Sequence, residues 1–249
     1  MMDRPEPRFA QAEKSVVVLR SDMRVELIDS MGNDASVVRA ARVSTAGQSA
    51  ARYVEHERDA GLVNYLMRNR HGSPFEHTSF TFYVEAPIFV WREIMRHRIA
   101  SYNEESGRYR KLEPVFYVPR ADRNVRQGGT SAHPRLTAGT AAQHEAVEAE
   151  LITASTTAYS AYERLLVAGI AREVARMVLP VSIYSSAYVT MNARALMNFI
   201  SLRTEDPTAA YPSHPMREIE VVARQFEMIM GETMPATHAA FLGNGRVAP

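Results

Sequence analysis

The chain has 249 residues, long enough to bury a sizeable core as one large domain or two small ones. Its 29 basic and 28 acidic residues nearly cancel, which argues against the broad positive field of a general nucleic-acid binder and leaves basic charge to act locally. It contains no cysteine, which excludes disulfides, thiolate metal sites and any mechanism in which a cysteine attacks the substrate.

Residues 1–14 are polar and proline-bearing rather than signal-like, and no run approaches the roughly 18 apolar residues of a membrane span. A flexible tail and a cytoplasmic protein are therefore expected. Ser15 to Arg20 and Arg24 to Ile28 are rich in Val, Leu and Ile and read as two short strands joined by Ser21-Asp22-Met23. Asn33 or Asp34 can cap a helix through Ser44, with Val37, Ala40, Ala41 and Ser44 on one face. Glu55 to Asn69 carries Leu62, Tyr65 and Leu66 at helical spacing, and Gly72 with Ser73-Pro74 is expected to end it. Ser79 to Glu85 alternates Phe80, Phe82 and Val84 against Thr81, Tyr83 and Glu85, the pattern of a half-buried strand. Pro87 then starts a helix with Ile88, Trp91, Ile94 and Met95 on its face, Trp91 in the core, and Arg96 at the end or just beyond.

Pro114 to Val118 is a further strand candidate, and Ala121 to Ala141, full of Gly and Thr, reads as a long surface loop. From Ala142, Val147, Leu151, Ala154, Ala158, Tyr162, Leu165 and Leu166 recur at helical spacing until Gly169. Helices over Glu173 to Leu179, Ala193 to Arg203 and Met216 to Met230, with a strand over Tyr184 to Met191, complete the pattern. The reading is one α+β domain over 15–242, with a tail from 243 to 249.

The chemistry concentrates between Arg96 and Arg110, where four arginines, one histidine and two carboxylates follow the apolar run Pro87 to Trp91. Arginine presents a planar fork that grips phosphate or carboxylate, so such a cluster points to a polyanionic ligand, or else to a solvated charged loop. His71 and His77 are six apart, and no His, Asp and Glu cluster has metal-ligand spacing, so no metal is assigned. No Gly-x-Gly-x-x-Gly turn is present, so a dinucleotide would be held by side chains.

Arg96-His97-Arg98, then seven residues, then Ser106-Gly107-Arg108-Tyr109, resembles the signature of flavin-dependent thymidylate synthases. Met31 to Asp34 leading to Arg39 to Ser44, His71 to His77, Arg172 to Arg176 with Leu179-Pro180, and Asn192 to Arg194 with Met197 to Phe199 and Leu202-Arg203 are similar to the same family in the same order. The resemblance implies an α+β fold with a central, mainly antiparallel sheet flanked by long helices, and reductive methylation of dUMP to dTMP. It implies FAD as cofactor, NADPH and methylenetetrahydrofolate as co-substrates, and a homotetramer with shared sites, without nucleic-acid or membrane partners.

The same resemblance assigns flavin contacts to Ser44, His71, Ser73, Glu76, Arg96, His97, Arg98, Ile99, Glu104, Asn192, Arg194 and Asn198. For dUMP it implies Glu93, Arg96, Glu104, Ser106, Gly107, Arg108, Arg203 and, from another subunit, Arg176. Arg203 would face the uracil and stabilise charge developing on its carbonyls, and Ser106 would bind the phosphate or, as a less favoured variant, attack as a nucleophile. Ser44 also reads as a simple helix end, and Arg194 and Arg203 as surface residues. Glu93 stands where many members of the family carry a glutamine, and an ionised glutamate can only accept hydrogen bonds, so either Glu93 is protonated, or Arg92 or Arg96 pairs with it, or it does not touch the ligand. Two other classes fit parts of the pattern: a single-strand nucleic-acid binder, with Tyr102 and Tyr109 among the arginines, and a flavin reductase.

Overall fold

The computed structural model describes residues 16–52, 59–130 and 134–249; the expected tail over 1–14 and the start of the helix expected from Glu55 lie outside them. In chain order the elements are β1 (Val18–Arg20), β2 (Arg24–Met31), α1 (Asp34–Ala46), α2 (Asp59–Arg68), β3 (Ser79–Pro87), α3 (Ile88–Ile94), β4 (Ser101–Glu104), β5 (Val115–Tyr117), β6 (Arg126–Gly129), β7 (Pro134–Thr137), α4 (Ala141–Val167), α5 (Arg172–Ala175), β8 (Tyr184–Met191), α6 (Ala193–Arg203), α7 (Arg217–Thr233) and α8 (Pro235–Gly243). They form two compact units, one of residues 23–86, 90–104 and 186–249, the other of residues 16–22, 87–89 and 105–185.

The larger unit is built on a four-stranded sheet in the order β2-β3-β8-β4. β2 pairs antiparallel with β3, shifting register between Leu27 and Asp29, and β4 pairs antiparallel with β8. Across β3 and β8 the Thr81 and Thr190 hydroxyls bond at 3.1 Å and the Tyr83 and Tyr188 rings meet edge to face at 5.7 Å, so residue numbers run in opposite senses there too. The alternation of Phe80, Phe82 and Val84 buries one face, as period-two patterning requires. Helices α6 and α7 bring Leu196, Phe199, Ile200, Ile219, Val222, Phe226 and Met230 into the same core, all fully buried. The Phe82 ring lies 4.4 Å from that of Phe226, which lies 5.2 Å from that of Phe199. Trp91 is 1% exposed, the core position expected of it.

Local chemistry explains the ends of these elements. Asn33 accepts from the Ser36 amide at 3.2 Å while the Ser36 hydroxyl accepts from the Asn33 amide, a reciprocal cap for α1. The buried face of α1 is Val37 and Val38, and Ser44 is exposed, its hydroxyl bonded to the Ala41 carbonyl. In α2 the buried apolar residues are Val63, Leu66 and Met67, with Tyr65 half exposed, so the face sits one step round from the one expected. That helix is ended by Arg70, whose φ of 62° breaks the helical path, and not by Gly72 at φ −78°. Pro87 closes β3 rather than opening the next helix, and Met95 lies past the end of α3. The expected loop over 121–141 contains the β6–β7 hairpin, and α5 is a single turn passing into a 3₁₀ turn at Arg176–Val178.

α8 has no polar residue at its own N-cap, Met234. Asp34, from the first turn of α1, fills that role by accepting from the amides of Ala236 and Thr237 at 2.8 and 2.9 Å and from the Thr237 hydroxyl at 2.6 Å. Beyond Gly243, where a tail was expected, Arg246 is 5% exposed and bonds Glu227 at 2.7 and 2.8 Å and the Thr204 hydroxyl at 2.8 Å. Burial pushes the Glu227 carboxyl up, but the Arg246 guanidinium, with His238 beside it, outweighs this and holds it below its ordinary range.

In the smaller unit β1 runs parallel to β5, and Phe116, Tyr159, Tyr162, Ala175 and Ile183 form the core. α4 begins with a reciprocal cap between Thr140 and Gln143. Its Tyr159 hydroxyl donates to the Leu112 carbonyl at 2.9 Å and its Tyr162 hydroxyl accepts from the Leu112 amide at 3.2 Å, pinning the chain just after the Ser106–Arg108 segment.

Candidate functional site

Helix α6 ends in Arg203, and the guanidinium is held on two edges. Nη1 donates to Oε2 of Glu93 at 2.7 Å and Nε donates to Nε2 of His97 at 3.1 Å, with the side chain 18% exposed. Arg96 approaches the other Glu93 oxygen at 3.9 Å and is 71% exposed. Glu93 is thus the carboxylate partner of Arg203, with Arg96 as a longer second contact.

The histidine in this group is fixed from several sides. Its ring lies 4.4 Å from that of Phe199, and its carbonyl accepts from the Tyr102 hydroxyl at 2.8 Å, which also reaches the Ile94 carbonyl at 3.1 Å. Burial, reinforced by the Arg203 charge, pulls the imidazole down to about 4 against the opposing effect of Glu93. A neutral ring accepting at Nε2 carries its proton on Nδ1. Burial also pushes the Tyr102 phenol up to about 12, so it remains a donor.

A second guanidinium sits at the other end of the helix. Asn192 caps α6 by accepting from the Ala195 amide at 2.9 Å, and the buried Thr78 hydroxyl accepts from the Ala193 amide at 3.1 Å. This fixes Arg194, whose Nη1 donates to Glu76 and whose Nε donates to the Pro249 carbonyl, both at 2.6 Å. The guanidinium lies against Gly72, where a Cβ would fall 2.5 Å from Nε. His71 is exposed with its ring edge-on to Tyr65, Ser73 opens the 3₁₀ turn Ser73–Glu76, and Asn198 is exposed on α6. Arg98 and Ile99 follow α3 in an exposed bend, Ile99 72% exposed, and Glu104 ends the edge strand β4. Val43 and His77, next in sequence to Ser44 and Glu76, line a cavity of about 530 Å³ together with Arg39 and Gln48.

In the smaller unit Ser106, Gly107 and Arg108 form a turn. The amides of Tyr109 and Arg110 donate to the Ser106 carbonyl at 3.0 and 3.2 Å, and the Arg108 amide to the Ser106 hydroxyl at 3.3 Å. That last bond shapes the turn. The Arg108 Nε donates to Glu173 at 2.8 Å, and a Cβ on Gly107 would fall 3.1 Å from the Arg176 stem, so Arg108, Arg176 and the turn share one neighbourhood within the chain.

Each unit thus collects its own share of the expected residues. Glu93, Arg96, His97 and Arg203 converge in one, with Glu76 and Arg194 paired beside Gly72; Ser106, Gly107, Arg108 and Arg176 converge in the other. Asn192 is placed as a helix cap. Sequence reasoning did not find the roles of Tyr102, Phe199, Gly72 and Glu173, although Tyr102 lies inside the arginine stretch and Gly72 inside His71 to His77. Among the described residues no group of three or more His, Asp or Glu is arranged to hold a metal, and no helix is long and apolar enough to cross a membrane.

Residues 26–236 match the family model described as thymidylate synthase complementing protein. A flavin-dependent thymidylate synthase of Streptomyces coelicolor is 54% identical over 241 residues, covering 96% of this chain and 98% of its own length. One of Tropheryma whipplei is 52% identical over 93% of this chain and 97% of its own. Among solved structures, a UMP/dUMP methylase, PolB of Streptomyces cacaoi, bound with 5-Br dUMP, superposes with a TM-score of 0.89 at 54% identity, covering 94% of this chain and all of that one. The same protein with 5-Br UMP gives 0.88 at 53% identity.

Proposed function

Because the chain belongs to the flavin-dependent thymidylate synthase family, we propose that it methylates dUMP to dTMP, with FAD as cofactor, NADPH as reductant and methylenetetrahydrofolate as carbon donor, in the cytoplasm. The observation that carries this reading is Arg203: in a chain without cysteine, a partly buried guanidinium held by Glu93 and His97 is a fixed donor for negative charge developing on the uracil carbonyls.

The donor set fits a flavin dinucleotide. Arg96 and Arg98, both exposed, and Arg194 offer planar forks suited to a pyrophosphate, Ile99 offers exposed apolar surface, and the cavity lined by Arg39, Val43, Gln48 and His77 has room for part of a large ligand. When bound, the flavin supplies hydride chemistry that takes the place of a cysteine thiolate. The residues of the chain bind and orient around it: Arg96, Arg98 and Arg194 hold anionic groups, with Ser44, His71, Ser73, Glu76, His97, Ile99, Glu104, Asn192 and Asn198 as further flavin contacts. The Ser106 hydroxyl, the Gly107 amide and the guanidinium groups of Arg108 and Arg176 receive the nucleotide phosphate. In a homotetramer these sets would be completed by neighbouring subunits.

The test is to purify the protein, record its visible spectrum and measure dTMP with NADPH, methylenetetrahydrofolate and dUMP omitted in turn. UMP is run in parallel, since the PolB structures are described for both nucleotides. A yellow protein that forms dTMP only with all three present is expected. NADPH oxidation indifferent to dUMP would instead identify a flavin reductase, and a colourless protein with salt-dependent single-strand binding would identify a nucleic-acid module.

A further inference from the structure

We infer that Glu93 and His97 are positioning residues for Arg203: together they fix the plane of its guanidinium and leave its remaining N–H groups for the substrate. This rests on the reading of Arg203 as the residue that faces the uracil. A guanidinium has five N–H donors in one plane. Nε–H is taken by His97 at 3.1 Å and one Nη1 hydrogen by Glu93 at 2.7 Å, while Nη2 makes only a 3.5 Å contact with the Glu93 carbonyl. Two bonds on adjacent nitrogens, to groups from one short segment, fix both the position and the rotation of the fork. A second hydrogen on Nη1 and the weakly held Nη2 hydrogens then project together.

The supports are themselves restrained. Glu93 lies in the last turn of α3, whose neighbours Trp91 and Ile94 are 1% and 0% exposed. The His97 ring packs on Phe199, itself part of the ring contacts with Phe226 and, through it, Phe82, and its carbonyl is tied by Tyr102. A histidine able to accept at Nε2 must be neutral, which agrees with its depressed pKa. On the far side, Thr204 fixes the end of α6 by bonding the Ile200 carbonyl at 2.8 Å and accepting from the buried Arg246. A carboxylate at position 93 suits this work better than an amide, because an ionised acceptor bonds a guanidinium more strongly.

The experiment is a double-mutant cycle on the flavin-loaded protein, reading kcat and KM for dTMP formation and the dUMP dissociation constant. Glu93→Ala and His97→Ala are each expected to lower kcat/KM by about 10- to 100-fold, the effect of a loosened contact group, with most of the loss recovered in Glu93→Gln. In an Arg203→Ala background neither substitution should weaken dUMP binding further. Should the alanine variants fail to fold, the near-isosteric Glu93→Gln and His97→Asn carry the same cycle, with smaller losses that again vanish when Arg203 is gone. Losses that persist undiminished without Arg203, or unchanged kinetics in the single variants, would overturn the inference. Unchanged kinetics in Arg203→Ala alone would overturn the reading beneath it.

Discussion

The Arg194 Nε stands 2.5 Å from the point where a Cβ on residue 72 would be, and the Pro249 carbonyl stands 2.7 Å from the same point. Gly72 is therefore not needed for its backbone angles, which any residue can adopt, but for the space that lets Arg194 bond Glu76 and Pro249 together. Gly72→Ala should push the guanidinium off both partners. A loss of about 1–3 kcal/mol in stability, the usual cost of overpacking, is expected in chemical denaturation. A lower flavin content per folded protein should accompany it, read from the visible absorbance.

Stability should fall on mild acidification because of His97. Its folded pKa of about 4 lies below the ordinary 6.5, so between these values the unfolded chain binds the proton and the folded one does not. The contribution is complete above about pH 6.5 and is lost progressively as pH falls towards 4. Thermal melts across that range should slope downward with acid, and His97→Asn should flatten the slope. An unchanged slope in the variant would show that another group is responsible.

The Arg246–Glu227 pair should dominate at lower pH. Glu227 is held below its ordinary 4.5, so its stabilisation is present above that value and is lost as pH drops through the folded value, a window below that of His97. Arg246→Met takes away the closest partner of the Glu227 carboxylate, leaving His238 at 3.3 Å and Arg224 at 3.5 Å, and should cost up to about 3–5 kcal/mol in urea unfolding, whereas adding Glu227→Met should recover much of this. Because Arg246 also bonds Thr204, one residue beyond Arg203, the single variant should bind dUMP more weakly as well.

Asp34 offers a separate test of the architecture. It caps α8 from 202 and 203 residues away in sequence through two amides and a hydroxyl, so Asp34→Ala should cost about 1–2 kcal/mol by thermal or urea unfolding. Asp34→Asn, which keeps one acceptor, should cost less.

What was legible in the sequence follows from how locally each element is determined. A cap at Asn33 or Asp34, the alternation of β3, and the limits of β8 and α6 could be read directly, because capping residues and periodicity sit within the segments themselves. β4, Ser101 to Glu104, could not: it is a short polar edge strand whose only reason to be extended is its partner β8. The β6–β7 hairpin is rich in Gly and Thr and looks like a loop until the two halves pair. α8 escaped notice because its cap comes from Asp34.

The site divides in the same way. The arginine cluster and Arg203 were visible as residue types, whereas the Glu93–Arg203 bond joins positions 110 apart and no periodicity could announce it. Ser106 and Arg108 stood out as motif residues, but the turn that joins them depends on the Ser106 hydroxyl accepting a backbone amide, a choice between local hydrogen bonds that the sequence leaves open.

The most direct test of the whole account is tritium release from C5-labelled dUMP by the purified, flavin-loaded protein. With NADPH and methylenetetrahydrofolate, tritium should enter water in step with dTMP formation, and Arg203→Ala should slow both together. NADPH consumed at an undiminished rate while the label stays on the nucleotide would contradict it.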